Sequence, residues 1–298
     1  MTDLALIAGR GRLPERVAAQ VTPAPLVCAL EGNAPDRLSV DLTFRLETLG
    51  TFLLELGTRG ISRICMCGSI DRPQIDPSKL DAETAPLVPL LQEALGQGDD
   101  GALRAVIGLF EQTGFTVLGA ESFAPKVVAD IGYPTRREPR TAHRIDAETG
   151  EQTVAAMGAS DTGQACVIRK GRVLAEEQAD GTDAMLARLG PLPTPPETGA
   201  WDEWLFDGDS LTEAGRAWAA QVVEAGFDAK GLGGILYKGP KPGQETRADR
   251  PTIGPRTALS AAAAGMDGIV LGQGSIIIDQ ARLVALLDAM DMFLWVRR

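Results

Sequence analysis

The apolar positions change their period along this chain. In the first half, short apolar runs at 4–8, 25–30, 61–66 and 115–119 have the length and bounding turns of buried strands. Between them, apolar residues recur at helical spacing over 13–20, 44–58, 87–95 and 101–113. Pro14 sits in the first turn of one such stretch, where proline is tolerated. In another, Phe44, Thr48, Phe52 and Leu56 fall on related faces. Strands alternating with helices predict a parallel sheet with crossover helices, a Rossmann-like domain over 1–135.

The second half has a different rhythm. Residues 132–144 are rich in arginine and proline and poor in apolar residues, and read as a linker. Beyond it the pattern predicts a mixed α/β domain over 136–298, with a substrate cleft between the two domains. Its expected elements are a short helix at 152–159, a hairpin of 165–169 and 173–177 turning at Lys170-Gly171, and a helix ending near 189. A buried strand at 234–237, a helix at 257–264 and strands at 268–271 and 275–278 follow, then a helix at 280–290 and a strand at 293–296. Residues 191–230 stand apart, opening with Pro191, Pro193, Pro195 and Pro196 and holding Trp201, Trp204, Phe206 and Trp218. They read as a peripheral insertion with a helix at 212–226. Its aromatics either pack a small added subdomain or form an exposed patch for lipid or a partner.

Composition narrows the class. Hydrophobic residues make up 44% of the chain, enough for a globular core. The net charge of −11 argues against nucleic acid as a partner. It also opposes docking on anionic lipid, unless a local basic patch does it. Cys28, Cys65, Cys67 and Cys166 lack metal or redox spacing and read as reduced, buried thiols. No signal-peptide core or membrane-spanning apolar run is evident, so the expected location is cytoplasmic. With one histidine, His143, a His-based metal centre or a Ser-His-Asp triad is improbable.

Three stretches carry candidate chemistry. After the first strand comes Gly9-Arg10-Gly11-Arg12, a strand, turn and helix start of the kind that binds anions or simply turns tightly. After the third strand comes Cys67-Gly68-Ser69-Ile70-Asp71-Arg72-Pro73. The most distinctive stretch is 238–257, KGPKPGQETRADRPTIGPRT, in which prolines and glycines forbid a regular helix or central strand. Lys238, Lys241 and Arg247 have the chemistry to neutralise a diphosphate, and Gln244 and Thr246 add neutral donors. Asp249, between Arg247 and Arg250, is expected ionised, as a metal ligand or water orienter needs. A solvated charged loop with a structural Asp–Arg pair is the plainer alternative. Likewise Asp99 and Asp100 in Gly98-Asp99-Asp100, and Thr182 or Asp183 in Gly181-Thr182-Asp183, are placed to cap helices.

The run K-G-P-K-P-G-Q-E-T-R-x-D-x-P-T-I-G closely resembles the signature of the UDP-2,3-diacylglucosamine diphosphatases of the LpxI type, lipid A pathway enzymes. I-A-G-x-G-x-L-P at the start, G-D-D-x-x-L-R, D-x-G-Q and G-T-D-A-M-L, with Glu177 ahead of the last, match the same family in order. Gly272 departs from it, standing where members commonly carry Glu. The resemblance implies hydrolysis of UDP-2,3-diacylglucosamine to UMP and a diacylglucosamine 1-phosphate, with a divalent cation, Mg²⁺ or Mn²⁺. It implies that Asp249 is the essential aspartate and a metal ligand. It places Gly9, Gly11, Gly68, Ser69, Asp100, Gln164, Thr182, Asp183, Lys238, Lys241, Gln244, Thr246 and Arg247 on the substrate. It leaves open peripheral contact with the inner membrane and a homo-oligomer. A nucleotide-sugar transferase, or a non-catalytic lipid- or partner-binding protein, are the other classes these residues allow.

Overall fold

The computed structural model describes residues 2–71, 75–89, 98–160, 162–196, 201–230 and 233–298. The chain divides into two units, Met1–Lys126 with Gln244–Arg250, and Val127–Gly243 with Pro251–Arg298. Part of the helix expected over 87–95 lies outside the described residues.

The first unit holds β1 (Leu4–Ala8), α1 (Leu13–Ala18), β2 (Leu26–Leu30), β3 (Leu42–Phe44), α2 (Leu49–Thr58), β4 (Arg63–Cys67), α3 (Gly98–Gln112) and β5 (Thr116–Leu118). Its five strands form one sheet in the order β3-β2-β1-β4-β5, parallel throughout. The expected parallel α/β architecture is present. The helix expected from residue 44 starts at Leu49 instead, and residues 42–44 add an edge strand beside β2. Phe44 looked helical because its ring stacks on Phe52, centroids 4.1 Å apart, so both face one core although only Phe52 is on the helix. Helix α3 begins at Gly98, so Asp100 lies within its first turn rather than ahead of it.

The second unit holds α4 (Thr141–Ala159), β6 (Ala165–Arg169), β7 (Arg172–Glu176), α5 (Gly181–Leu189), α6 (Trp201–Leu205), β8 (Phe206–Asp207), β9 (Ser210–Leu211), α7 (Glu213–Lys230), β10 (Ile235–Lys238), β11 (Thr252–Ile253), α8 (Pro255–Ala263), β12 (Gly268–Gly272), β13 (Ile276–Ile277), α9 (Gln280–Ala289) and β14 (Phe293–Arg297). The main sheet runs β14-β12-β10-β6-β7. Strands β10, β12 and β14 are parallel, and β6 and β7 are antiparallel to their neighbours. Successive side chains of β10 point to opposite faces. Ile235 and Tyr237 meet Ala147, Val154 and Met157 of α4. Leu236 faces the helical layer that contains Leu186, Val222, Leu259 and Leu286. Residues 275–278 do not pair with β12 as a hairpin; β13 pairs with β11 in a separate two-stranded sheet.

Two expectations are corrected here. Residues 132–144 are structured: Gly132 exchanges hydrogen bonds of 3.0 and 2.9 Å with Val296, and α4 already starts at Thr141. Their polar groups looked destined for solvent, but their partners are distant in sequence. His143 Nδ1 accepts from the Arg140 amide at 3.1 Å, its Nε2 lies 2.9 Å from Asp267, and Arg137 pairs with Asp267 at 3.1 Å. Residues 191–230 are not peripheral. Leu205, Phe206, Leu211, Trp218 and Val222 are buried in the same core as Leu259, Leu283 and Leu286. Trp218 is 2% exposed and meets Trp204 edge-on at 5.4 Å. An exposed aromatic patch on Trp204, Phe206 and Trp218 is therefore ruled out by their packing, while the Trp201 side chain lies outside the described residues.

The cysteines are buried and free, and burial pushes the Cys28 and Cys166 thiols up to about 12. Among the described residues, no helix is long and apolar enough to cross a membrane.

Candidate active site

In the first unit, β1 and β4 are neighbours on either side of the point where strand order reverses, the position at which open α/β sheets bind ligands. Gly9, Gly11, Gly68 and Ser69 follow their carboxyl ends. The two loops touch backbone to backbone: Gly9 N donates to Cys67 O at 2.9 Å, and Arg10 and Ser69 exchange bonds of 2.8 and 2.9 Å. A Cβ on Gly9 would lie 2.5 Å from Ser69 O. Gly68 has φ +94° and no room for a Cβ, which would come within 2.7 Å of Gly9. Both glycines are thus required by the close approach. The Gly11 amide donates to Asp36 at 2.8 Å, so a carboxylate sits where an anion was expected. Arg10 pairs with Asp71, whose carboxyl it holds below the usual carboxylate range.

The middle of the signature stretch, Gln244–Arg250, belongs to this same unit. Asp100 Oδ1 accepts from the Glu245 amide at 2.9 Å, while its other oxygen meets Arg104. Arg247 grips Glu245 with two parallel bonds, both 2.8 Å, and reaches Glu111 at 2.5 Å. The bidentate bond with Arg247 draws the Glu245 carboxyl below its ordinary range and raises Arg247 in turn. Arg250 pairs with Glu121 at 2.7 Å, and Ala248 packs against the unit's core. The arginines flanking Asp249 in sequence are thus bonded to Glu245, Glu111 and Glu121. Asp249 itself accepts from the Gln244 amide nitrogen at 2.6 Å through Oδ2. Thr246 lies half-buried in the turn between Gln244 and Asp249.

The remaining candidates lie in the second unit. Lys238, the last residue of β10, is 8% exposed, and its Nζ donates to Thr182 Oγ1 at 2.8 Å. The Thr182 hydroxyl donates to Glu177 Oε1, and Glu177 Oε2 accepts from the Gln164 amide at 2.8 Å. Glu177 lies 4.0 Å from Lys238 and so compensates a nearly buried ammonium. Thr182 is therefore not the cap of α5, and neither is Asp183, which pairs with Arg256 at 3.4 Å on the surface. Half-buried Lys241 lies beside α4, where a Cβ on Gly158 would come 3.0 Å from its own Cβ. Gly272 has no space for a side chain, since its Cβ would lie 2.9 Å from Pro240 Cδ.

The structure thus gathers Gln164, Thr182 and Lys238 around Glu177, gathers Gly9, Gly68 and Ser69 at one strand-end crossing, and ties Gln244, Arg247 and Asp100 into one network. Glu111, Glu121 and Asp36 were not foreseen, because nothing local in sequence marks partners 136, 129 and 25 residues away. Among the described residues, no group of three or more His, Cys, Asp and Glu side chains is arranged to hold a metal ion.

Residues 3–127 match the family model of the LpxI N-terminal domain, and residues 130–295 that of the LpxI C-terminal domain. The chain is 31% identical over 299 residues to the UDP-2,3-diacylglucosamine pyrophosphatase LpxI of Caulobacter vibrioides, covering 98% of this chain and 96% of that protein. With both domains matched in order over nearly its whole length, the chain belongs to the LpxI family.

Proposed function

We propose that this chain hydrolyses UDP-2,3-diacylglucosamine, releasing UMP and 2,3-diacylglucosamine 1-phosphate, with Asp249 acting at the diphosphate. The observation that carries this reading is the anchoring of Asp249. Its segment is fastened by Asp100, Glu111 and Glu121, and the Gln244 amide orients the carboxylate. Such preorganisation suits a group that must hold water or a cation where charge develops. A magnesium or manganese ion takes one or two protein carboxylates and completes its shell with substrate phosphates and water. The positioned carboxylate of Asp249 fits that pattern, and a bound ion would neutralise charge on the phosphoryl oxygens. Arg247, engaged on both sides by glutamates, fastens the segment rather than clamping phosphate. Lys238, whose ammonium has further protons beyond the one given to Thr182, is the cation offered to an anionic substrate in the second unit.

The test is UMP release from UDP-2,3-diacylglucosamine by purified protein, with and without chelator and with no acceptor but water. Asp249→Ala is expected to fold, to retain substrate binding, and to lose turnover by at least roughly a hundredfold. Asp249→Asn should be nearly as damaging, because an amide keeps the shape but not the charge. Normal turnover in a well-folded Asp249→Ala protein would sink the assignment. Product formation that requires an added acceptor would point to a transferase.

A further inference from the structure

Of the aromatic residues considered for lipid contact, Phe206 and Trp218 are buried and Trp204 packs on Trp218, yet the second unit carries a different aromatic surface. Residues 131–133 run beside β14, held by the paired bonds of Gly132 to Val296. On either side of that glycine, Ile131 is 48% exposed and Tyr133 37%. Neither side chain is needed to close the core. The Tyr133 ring lies 5.9 Å from that of half-buried Trp295. Two guanidinium groups lie over the same indole, Arg144 at 5.2 Å and Arg297 at 5.3 Å. Arg144 also donates to the Tyr133 hydroxyl at 3.2 Å. Arg297, its side chain 19% exposed, pairs with Glu151 at 3.2 Å, and exposed Asp130 and Glu148 lie next to Ile131 and one turn from Arg144 in the chain. Arg140 and Arg298 are exposed as well, and Ile145, beside Arg144 on α4, is 56% exposed.

In a chain of net charge −11, a grouping in which Arg140, Arg144, Arg297 and Arg298 outnumber Asp130, Glu148 and Glu151 is a local excess of positive charge. Its chemistry is that of a membrane–water boundary. Tyrosine and tryptophan settle at head-group depth, arginine meets lipid phosphates, and an exposed isoleucine reaches the acyl layer. We propose that Ile131, Tyr133, Arg144, Trp295 and Arg297 form a docking patch for an anionic lipid surface. This rests on the proposed lipid substrate, whose two acyl chains keep it in a membrane. The patch brings the protein to that surface.

The experiment is co-sedimentation of the full chain with vesicles of phosphatidylcholine mixed with phosphatidylglycerol, against vesicles of phosphatidylcholine alone. Wild-type protein is expected to pellet with the anionic vesicles, less so at high salt, and to stay in solution with the neutral ones. Arg144→Glu, and separately Ile131→Ser with Tyr133→Ser, should weaken vesicle binding by about fivefold or more, roughly the effect of one basic residue at a lipid surface. Both variants should keep the wild-type melting temperature and normal UMP release from a soluble short-acyl substrate. Equal binding to neutral vesicles, no binding to anionic ones, or unchanged binding by both variants overturns the patch. Vesicle binding without any UMP release would overturn the proposed hydrolysis and leave the patch standing. UMP release by protein that never pellets would do the reverse.

Discussion

Arg247 shows how far a side chain's role can depart from its type. By composition it is a phosphate clamp; in place, its fork is taken by Glu245 and Glu111. The two roles predict different kinetics. Lysine cannot reproduce a bidentate grip. Arg247→Lys is therefore expected to make 244–250 more sensitive to protease and to lower kcat. A phosphate clamp would instead raise KM with the segment still ordered. Glu245 adds a pH dependence. Its carboxyl is held below the ordinary value by Arg247, so its contribution is complete above the unfolded carboxyl pKa, about 4.3. That contribution is lost as pH falls through the lower folded value. Hydrogen exchange at 244–250 should accelerate on acidification, and Glu245→Gln should flatten that response. The tight turns at Gly9 and Gly68 were legible because turn geometry is local. The glutamates that immobilise the arginines were not, since they come from helices and loops whose approach is a tertiary matter.

At the scale of elements, the legible parts were those with a regular period over a continuous core. Strands β1, β2, β4, β6, β10 and β12 and helices α5 and α9 lie close to where the apolar spacing put them. The failures share a cause. Helix α4 was cut short because its first turns are polar, and their main partner, Asp267, lies far along the chain, just ahead of β12. Residues 191–230 looked foreign because proline and tryptophan shift the composition, although the packed face of α7 faces the common core. Trp218→Ala should accordingly cost about 3–5 kcal/mol, read from denaturant unfolding. Replacing 191–230 by a short linker should yield insoluble protein. A soluble deletion product with a normal melt would return this region to the periphery.

For the molecule as a whole, the first unit is not one continuous stretch of chain. A fragment of residues 1–126 lacks Gln244–Arg250 and so leaves Asp100, Glu111 and Glu121 without their partners there. It is expected to melt below the same fragment carrying 244–250 on a Gly/Ser linker. Equal melting would mean that the segment adds nothing to the fold. The discontinuity also has a consequence in time. A ribosome releases the chain from its amino end at about 5–20 residues per second. The last piece of the first unit therefore emerges on the order of ten seconds after the rest of it, behind most of the second unit. Until then Glu111, Glu121 and the core surface that receives Ala248 stand open on the nascent protein. The aspartate proposed for the chemistry reaches its place only when the first unit is closed.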